Sequence, residues 1–596
     1  MDNNKLAALL FPEVTGTPTE LEDRFPKRQL PQGAMVTRMG PSPTGFIHLG
    51  NLYGAFVDER MARLSNGLFY LRIEDTDDKR YVEGAVETVT SALDFFGIKF
   101  DEGAGMSGDY GPYYQSQRKD IYQIYVKDLV SKGKAYPCFL TEEDLAEIRK
   151  TQEANGETTG IYGKYAEKSR SLSYEEIESN IAAGLPYVVR LRSKGNEVDP
   201  DHCLNETGSA CERDGGARYS NHDGRIYIHL KDGIRGEVAM PANDQDVVIL
   251  KANGIPTYHF AHAVDDHLMR TTHVVRGEEW LMSLPIHVEL FEALGFDLPV
   301  YCHTAVLMKI DGETGNKRKL SKRLDPELSL DYYRSEGYHP LAVKEYLMTI
   351  LNSDFEEWRA ANPDTPLEDF DFSIEKMNSA GALFDLNKLK DVSKDVLLRI
   401  PPEELAEFMI DWAKECRPEI VPLLLGDGVS EGAAGADGPA ASGTVATSAA
   451  PEYLIKILAI GREGKKPRKD FISAGQMFDF ISYFYDDCFM IRETVPEEVS
   501  DGDASEILRR YLESYDHSDD QSQWFDKIRT IATDLGYAAK PKDYKKNPDE
   551  YKGHVGHVST VIRLAIVGRS QSPDVWEIQQ ILGEERTRSR IEALLV

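Results

Sequence analysis

The chain has 596 residues, which is too long for one hydrophobic core and predicts roughly three to five domains. Its 41% hydrophobic and 28% charged residues are typical of a globular protein, and its formal net charge of −31 argues against a surface that attracts nucleic acid or anionic membrane as a whole. The scattered cysteines form no CxxC pair, which indicates reduced thiols. With no signal-peptide pattern and no long apolar run, the sequence predicts a cytoplasmic protein without a membrane partner.

The first predicted elements follow an N-terminal extension over residues 1–34, which we expect to be irregular. A strand begins near Ala34, runs into the Gly/Pro-rich residues 40–45, and gives way to a helix over about 50–64. In an extended chain, Phe69, Leu71 and Ile73 would point to one side and Tyr70, Arg72 and Glu74 to the other. This alternation over residues 69–74 predicts a second strand. Strand, turn, helix and strand in this order are typical of a parallel nucleotide-binding sheet.

The remaining sequence predicts an α/β chain: a Rossmann-type parallel-sheet catalytic domain, split by an inserted domain and followed by an all-helical C-terminal half. Residues 426–450 are rich in Gly, Ala and Ser and bury too little apolar surface to offset the entropy of ordering, so we expect a disordered linker. The predicted segments are the extension (1–34), the first half of the catalytic domain (35–115), the insertion (116–245), the second half (246–335), a helical region (336–425), the linker (426–450) and a helical domain (451–596).

The first candidate site is PSPTGFIHLGN at residues 41–51. Prolines and glycines make the backbone turn sharply, and the helix that follows points its first amides at the turn. A helix N-terminus of this kind favours a triphosphate, and His48 adds an imidazole donor where charge builds on the α-phosphate. An incidental surface histidine is the alternative, but the flanking strand and helix favour the nucleotide site.

The second candidate site is KLSKR at residues 319–323, preceded by Lys317 and Arg318. The repulsion among these cations in an acidic chain is best relieved by an anion, and lysine can follow a phosphate through a transition state. Residues 311–315 predict a flexible turn, as in a loop that closes on ATP. A solvated basic loop is the alternative interpretation when this motif is considered alone.

In this order, the two motifs resemble the ATP site of class I aminoacyl-tRNA synthetases, and the sequence between them is similar to that of glutamyl-tRNA synthetases. The resemblance covers essentially all of 35–120 and 235–335 and continues more loosely to the C-terminus. The segments that carry it are TRMGPSPTG (37–45), LRIEDTD (71–77), PTYHFA (256–261), VDDHLM (264–269), VRGEEW (275–280) and RLAIVGR (563–569).

A pocket for free glutamate needs cations for two carboxylates and an anion for one ammonium. Arg38 and Arg276 can each hold a carboxylate through two parallel hydrogen bonds, and Glu74 can take the ammonium. Tyr258 can add a hydroxyl donor. The residues to which the resemblance assigns glutamate binding are Arg38, Gly40, Ser42, Glu74, Tyr258, His262 and Arg276.

The resemblance also implies ATP with Mg²⁺, and it makes His48, Lys319 and Lys322 the candidate catalytic residues. Two positions depart from the family pattern. Asn51 replaces the second histidine of the first class motif, and His262 replaces an asparagine. A protonated His262 would make the pocket more cationic, a neutral one would leave it close to the asparagine form, and packing beside the site is the third reading. The expected ATP-binding residues are His48, Gly50, Asn51, Glu279, Leu307, Lys319, Leu320, Ser321, Lys322 and Arg323.

We expect no metal site in the protein itself. Asp265 and Asp266 are interpreted as a structural cap or turn pair. No structural zinc is expected, because His202, Cys203, Cys211 and His222 fit no common ligand spacing. Some family members carry a Cys-rich zinc knuckle in the insertion, but here only Cys138 stands near that place.

The implied reaction activates L-glutamate with ATP to glutamyl-adenylate and transfers it to the 3′ end of tRNA-Glu. By the same resemblance, 116–245 would bind the acceptor end, 336–425 the stem and 451–596 the anticodon, in a protein expected to be monomeric. Basic residues that could contact phosphate occur in two runs. They are Arg462, Lys465, Lys466, Arg468 and Lys469 in the first run, and Lys540, Lys542, Lys545 and Lys546 around Tyr544 in the second.

The sequence also leaves four alternative functions to be compared with this one. A non-discriminating enzyme would also charge tRNA-Gln and hand it to an amidotransferase. A glutaminyl-tRNA synthetase should end in β-barrel domains, whereas this C-terminal half has a helical pattern. The short enzyme that modifies a tRNA base ends soon after the second motif. An inactive tRNA-binding paralogue is disfavoured by the intact His48, Lys319 and Lys322.

Overall fold

A computed structural model of the chain describes residues 2–43, 47–76, 82, 84–195, 217–222, 224–379, 381–426, 451–463 and 466–595. The chain divides into two compact units, one formed by Met1–Asp331 with Lys344–Asp385 and the other by Tyr332–Val343 with Leu386–Val596. The predicted linker lies outside the described residues apart from Gly426. Within the described part of the chain, no helix combines the length and apolar character needed to cross a membrane.

The N-terminal extension is not irregular, because it forms two short helices, α1 (Asn3–Leu10) and α2 (Pro18–Arg24). The side chain of Asp2 caps α1, and Thr17 forms a capping box with Glu20 at the start of α2. Buried apolar residues of α1 pack on the later helix α5 (Lys119–Ser131). The expectation missed these helices because each is too short to show clear periodicity.

The predicted strand–turn–helix–strand opening is confirmed. It comprises β1 (Val36–Met39), α3 (Leu49–Leu64) and β2 (Leu68–Leu71), followed by α4 (Ala85–Phe95) and β3 (Glu102–Gly103). The three strands form one parallel sheet in the order β1–β2–β3. Every residue of β1 is buried, as expected for a strand covered on both faces.

The middle of the first unit adds antiparallel sheets. The elements are β4 (Ala135–Cys138), α6 (Glu142–Asn155), α7 (Lys164–Arg170), α8 (Tyr174–Ala182), β5 (Val188–Leu191), β6 (Arg218–His222), β7 (Arg225–Asp232), β8 (Gly236–Pro241) and β9 (Val248–Leu250). One sheet has the order β4–β5–β9 and the other the order β6–β7–β8. Along β7, buried and more exposed residues alternate, which is the pattern of a sheet with one covered face.

The parallel arrangement then resumes. β10 pairs in parallel with β11, and Thr272, directly before β10, exchanges backbone and side-chain hydrogen bonds with Val36 at the start of β1. The elements are α9 (Tyr258–Leu268), β10 (His273–Gly277), α10 (Leu284–Leu294), β11 (Val300–Thr304), β12 (Leu307–Ile310), β13 (Lys317–Lys319), α11 (Leu330–Glu336), α12 (Pro340–Leu351), α13 (Phe355–Ala361) and β14 (Ala382–Leu383).

The second unit confirms the helical C-terminal half. Buried apolar residues of most of its helices meet in one core. Val575, Ile578 and Leu582 lie on the buried face of α23 (Val575–Leu582), as their spacing predicts. The helices are α14 (Leu386–Arg399), α15 (Pro402–Cys416), α16 (Val421–Leu425), α17 (Glu452–Ala459), α18 (Ala474–Ile481), α19 (Asp501–Ser514), α20 (Gln521–Asp534), α21 (Pro541–Lys546), α22 (Val555–Val567), α23 (Val575–Leu582) and α24 (Glu584–Glu592).

Candidate active site

A cavity of about 790 Å³ lies where the carboxyl ends of β1, β10 and β11 meet the N-terminus of α3. This is the edge of a parallel sheet at which ligands bind. His262, Ser321, Lys322 and Arg323 are not among the described residues that line it. The predicted site residues that do line it are Arg38, Gly40, Ser42, His48, Gly50, Asn51, Glu74, Tyr258, Arg276, Glu279, Leu307, Lys319 and Leu320.

Buried charges at one end of the cavity are held in an ion-pair network. Arg72 is fully buried and donates to Asp266 Oδ1 at 2.5 Å and to Glu74 Oε1 at 2.9 Å. Arg38 Nε lies 3.4 Å from the same Asp266 oxygen. Burial acts to raise the pKa of Asp266, but Arg72 and Arg38 hold it well below its ordinary value. Asp266 is therefore a fixed anion that orients both arginines.

Gly40 allows Glu74 to reach this end of the cavity. A Cβ at residue 40 would lie 2.4 Å from Glu74 Oε1, and that carboxylate cannot withdraw because Arg72 holds it. Burial raises the pKa of Glu74, although Arg72 and Arg38 act to lower it. Glu74 thus lines the cavity as a buried carboxylate that a ligand cation would stabilise.

The helix α9 carries Tyr258 at its first residue and the two aspartates near its end. Asp265 and Asp266 are not a cap or a turn, because both lie within the helix and are fully buried. Asp265 accepts from Arg118 Nε at 2.6 Å and from Tyr122 Oη at 2.7 Å. The sequence showed two adjacent acids but not the arginines of other elements that pair with them.

His262 lies behind the cavity wall, one turn along α9 from Tyr258. It is fully buried, with its Nδ1 3.0 Å from Asp266 Oδ2 and its Nε2 3.2 Å from Tyr301 Oη. Burial lowers its pKa to about 4, although Asp266 acts to raise it. His262 is therefore neutral near pH 7 and packs beside the cavity, which favours the third reading over the protonated one.

Arg276 reaches the cavity from the end of β10 and is held by aromatic side chains. Its Nε donates to His303 Nε2 and its Nη1 donates to His287 Nδ1, both at 2.9 Å. The guanidinium carbon lies 4.5 Å from the centre of the Tyr301 ring, which is a cation–π distance. Its Nη2 is buried without a hydrogen-bond partner among the described residues. One nitrogen of Arg276 is thus left for a ligand.

His48 stands at the other end of the cavity as the N-cap of α3. The Asn51 side-chain oxygen accepts from the His48 backbone N–H at 3.0 Å. Burial lowers the pKa of His48, and Glu279 acts to raise it. Asn51, at the position of the missing second histidine, therefore fixes the start of the helix whose amides face the cavity.

The KLSKR loop follows the hairpin of β12 and β13, which are antiparallel. Arg318 donates to Asp311 at 3.0 Å and to both oxygens of Asp325, at 2.6 and 2.8 Å. Asp325 also accepts from the backbone N–H of Ser321 at 2.9 Å. Arg318 is thus neutralised inside the loop rather than offered to a ligand, whereas Lys319 is exposed and lines the cavity.

Several residues that shape the cavity were not predicted. Trp280 packs on Tyr258 with ring centres 4.8 Å apart and lines the cavity. It ends the segment VRGEEW that carries the resemblance, which was an available signal. Asp58 also lines the cavity, and burial raises its pKa well above the ordinary range. His287 and His303 carry no local signal, because they touch Arg276 only through the tertiary fold.

The two basic runs of the second unit differ. In the first, Arg462 donates to the carbonyls of Leu397, Leu398 and Ile400, and Lys469 pairs with Asp395 at 2.7 Å. Lys465 lies outside the described residues. In the second, the lysines of 540–546 are exposed and form no ion pair with the described acidic residues. The first run thus has internal structural roles that the second does not.

Metal ligands do not cluster in the described part of the chain, where no group of at least three His, Cys, Asp or Glu side chains is arranged to hold an ion. Of the group considered for zinc, His202, Cys203 and Cys211 lie outside the described residues, and the side chain of His222 is not described.

Comparison with protein families defines the class. Residues 34–203 and 205–390 match the family of tRNA synthetases class I (E and Q), catalytic domain. Residues 542–595 match the anticodon binding domain. These matches cover the cavity, the KLSKR loop and the end of the second unit.

Similar proteins of known family narrow this class. The chain is 58% identical to a glutamate–tRNA ligase of Acetivibrio thermocellus, over 100% of both chains. It is 44% identical to one of Clostridium perfringens, over 99% of this chain and 100% of the relative. A crystal structure of a glutamate tRNA ligase from Elizabethkingia meningosepticum in complex with its amino acid is 27% identical, with a TM-score of 0.67 over 94% of this chain and 99% of that one. The chain therefore belongs to the glutamate–tRNA ligase family of class I aminoacyl-tRNA synthetases.

Proposed function

We propose that the cavity binds L-glutamate between Arg38, Glu74, Tyr258 and Arg276, and ATP between the N-terminus of α3 and Lys319. The observation that carries this proposal is the charge arrangement in one cavity. Two buried arginines and the carboxylate of Glu74, whose side chain is 7% exposed, lie at one end, and a helix N-terminus with an exposed lysine lies at the other. That arrangement complements two carboxylates, one ammonium and a triphosphate.

The proposed reaction has two steps. The α-carboxylate of glutamate attacks the α-phosphorus of ATP, the bond to the bridging oxygen breaks, and pyrophosphate leaves. A hydroxyl of the terminal ribose of tRNA then attacks the glutamyl carbonyl, and AMP leaves. In the first step His48 and Lys319 would stabilise charge on the transferring phosphate and the leaving group. Lys322 and Arg323, exposed on the same loop, would hold the outer phosphates.

Mg²⁺ fits this site as a partner of ATP rather than of the protein. The described residues offer no cluster of ligands for it, and Mg²⁺ commonly binds substrate phosphates while retaining water. It would neutralise phosphate charge, while the protein residues orient the two substrates.

For tRNA, we propose that α21 contributes phosphate contacts. Lys540, Lys542, Lys545 and Lys546 are exposed around Tyr544, whose ring lies 5.7 Å from that of His554. The matched anticodon binding domain begins within this helix. Basic and aromatic side chains together suit an RNA strand. We further propose that the chain acts as a monomer in the cytoplasm, and that tRNA choice is set in the second unit.

The first test is aminoacylation with radiolabelled glutamate and, separately, glutamine, on purified tRNA-Glu and tRNA-Gln. We expect glutamate on tRNA-Glu. Glutamate on both tRNAs would instead identify a non-discriminating enzyme that requires an amidotransferase. Glutamine transfer, or no transfer with folded protein, would contradict the assignment of Arg38, Glu74 and Arg276.

The substitution Arg276→Ala tests the glutamate end directly. It removes a carboxylate partner, so the KM for glutamate should rise about 100-fold or more, as expected for a charged hydrogen-bonded pair, while the KM for ATP stays within about twofold. Arg63→Ala is the control, since Arg63 lies on α3 but pairs with Asp101 at the surface. Equal changes in both KM values for Arg276→Ala would overturn this role.

A further inference from the structure

The buried arginines around α9 differ in what neutralises them. Three of them lie within ion-pair distance of a carboxylate on α9, whereas Arg276, only 8% exposed, has no ion pair with a described carboxylate. Its hydrogen bonds go to imidazoles instead. The shortest ion pair of each is Arg38 with Asp266 (3.4 Å), Arg72 with Asp266 (2.5 Å) and Arg118 with Asp265 (2.6 Å).

The hydrogen bonds of Arg276 fix the tautomers of its neighbours. A guanidinium only donates, so His303 Nε2 and His287 Nδ1 must both be acceptors. The proton of His303 is therefore on Nδ1, which donates to Asp232 Oδ2 at 2.6 Å. The proton of His287 is on Nε2, 2.9 Å from His259 Nδ1. Both imidazoles are neutral, and burial lowers the pKa of each.

Asp232 is held as firmly as the histidine it orients. It ends β7, is 1% exposed, and its Oδ1 accepts from the backbone N–H groups of Ile234 and Arg235, both at 2.9 Å. Burial acts to raise its pKa, but the hydrogen bonds from His303 and the backbone amides lower it below the ordinary value. Asp232 is thus a fixed anion separated from Arg276 by one imidazole.

We propose that Asp232 and His303 are positioning residues that aim Arg276 at the side-chain carboxylate of glutamate and make the cavity select it over glutamine. This inference rests on the proposed function. A direct carboxylate partner would occupy the guanidinium edge that the substrate needs. The His303 imidazole, with its acceptor nitrogen fixed, instead holds Arg276 Nε. It leaves Arg276 Nη2 and the positive charge of the guanidinium available to the substrate. A carboxylate satisfies that charge, whereas an amide supplies no countercharge and brings N–H donors toward another donor.

The test compares variants of His303 and Asp232 in the full-length protein with tRNA present. His303→Leu removes the acceptor, and we expect the KM for glutamate to rise about tenfold, corresponding to one lost hydrogen bond to a charged group. The KM for ATP should stay within about twofold. His303→Gln can place an amide oxygen where Nε2 stands and should recover most of the loss. The KM of Asp232→Asn for glutamate should lie between those of the two His303 variants. The asparagine amide can donate to His303 Nδ1, which would move the imidazole proton to Nε2, where Arg276 needs an acceptor.

The preference for glutamate over glutamine is the second measurement. We expect the ratio of the two kcat/KM values to fall with His303→Leu and to recover with His303→Gln. The matched control is His267→Leu, which breaks another 2.6 Å histidine–carboxylate contact, to Glu22, at the far end of α9. An equal loss in His303→Leu and His303→Gln, a parallel rise in the KM for ATP, or the same effect in His267→Leu would overturn the proposal.

Arg276→Ala separates this inference from the function on which it rests. If Arg276→Ala leaves the KM for glutamate unchanged, the assignment of Arg276 itself is wrong. If Arg276→Ala raises that KM but His303→Leu and Asp232→Asn do not, only the positioning role is wrong. Should His303→Leu fail to fold, Asp232→Asn and His303→Gln decide the question, with unfolding temperatures measured for both.

Discussion

The two ends of the cavity are built in opposite ways. At the end proposed to bind glutamate, the charged groups Arg38, Arg72 and Asp266 are buried and joined in one network. At the end proposed to bind ATP, the cations Lys319 and Lys322 are exposed on a loop anchored by Arg318 and Asp325. The first end is preorganised at the cost of desolvating charge, whereas the lysines of the second are exposed to water. Loss of a charge should therefore have different consequences at each end.

The largest effect should come from breaking the buried network. Asp266→Ala leaves Arg72 and Arg38 without their main anion, and removing one partner of a buried pair typically costs about 3–5 kcal/mol. We expect this loss of unfolding free energy in equilibrium urea denaturation. Asp94→Ala is the control, since its pair with Lys99 is exposed, and it should change stability by less than about 1 kcal/mol. Similar losses for both would show that burial does not distinguish the pairs.

The end proposed to bind ATP should show the reverse behaviour. Lys319→Ala removes an exposed cation, so the unfolding temperature should not change, while kcat for tRNA-dependent pyrophosphate exchange falls about 100-fold. The exposed Lys99→Ala serves as the matched control for loss of a surface lysine. A drop in stability that accompanies the drop in kcat would mean that Lys319 is structural, and that the comparison between the two ends is wrong.

The features that could be predicted from the sequence are those that depend on neighbouring residues. The β1–α3–β2 opening depends on local pattern and turn residues, and the ends of its strands and helix were predicted within about three residues. The residues that face the cavity lie in short motifs, so Arg38, Glu74 and Arg276 were found as well. What the sequence did not reveal are the partners behind them.

Those partners are distant in the chain. Asp232 is 71 positions from His303, and Arg72 is 194 positions from Asp266. One sequence with local patterns does not reveal such pairs, because only the tertiary fold brings them together. For the same reason Asp265 and Asp266 were taken for a cap or turn pair. Arg318 was taken for a cation offered to phosphate although its partners Asp311 and Asp325 are only seven positions away in the chain.

The smallest expected effect concerns the charge of His262. Its ordinary pKa of 6.5 is lowered to about 4 by burial, against the opposing effect of Asp266 and together with Arg38 and Arg276. Between pH 6.5 and about pH 4, His262 is protonated in the unfolded chain but neutral in the folded chain. The free energy of unfolding therefore falls as the pH drops through this range. From pH 7.5 to 5 the loss should be about 2 kcal/mol.

His262→Asn removes this titration and keeps a polar side chain at the position. In urea unfolding at pH 7.5 and pH 5, the variant should lose about 2 kcal/mol less than the parent protein between the two conditions. The difference between the two losses of unfolding free energy reports on His262 alone, because the other buried histidines and carboxylates are present in both proteins. Equal losses would mean that folded and unfolded chains bind a proton on His262 equally well, with Asp266 3.0 Å away in the folded chain. At pH 5 this end of the cavity would then carry one more positive charge than its buried network implies.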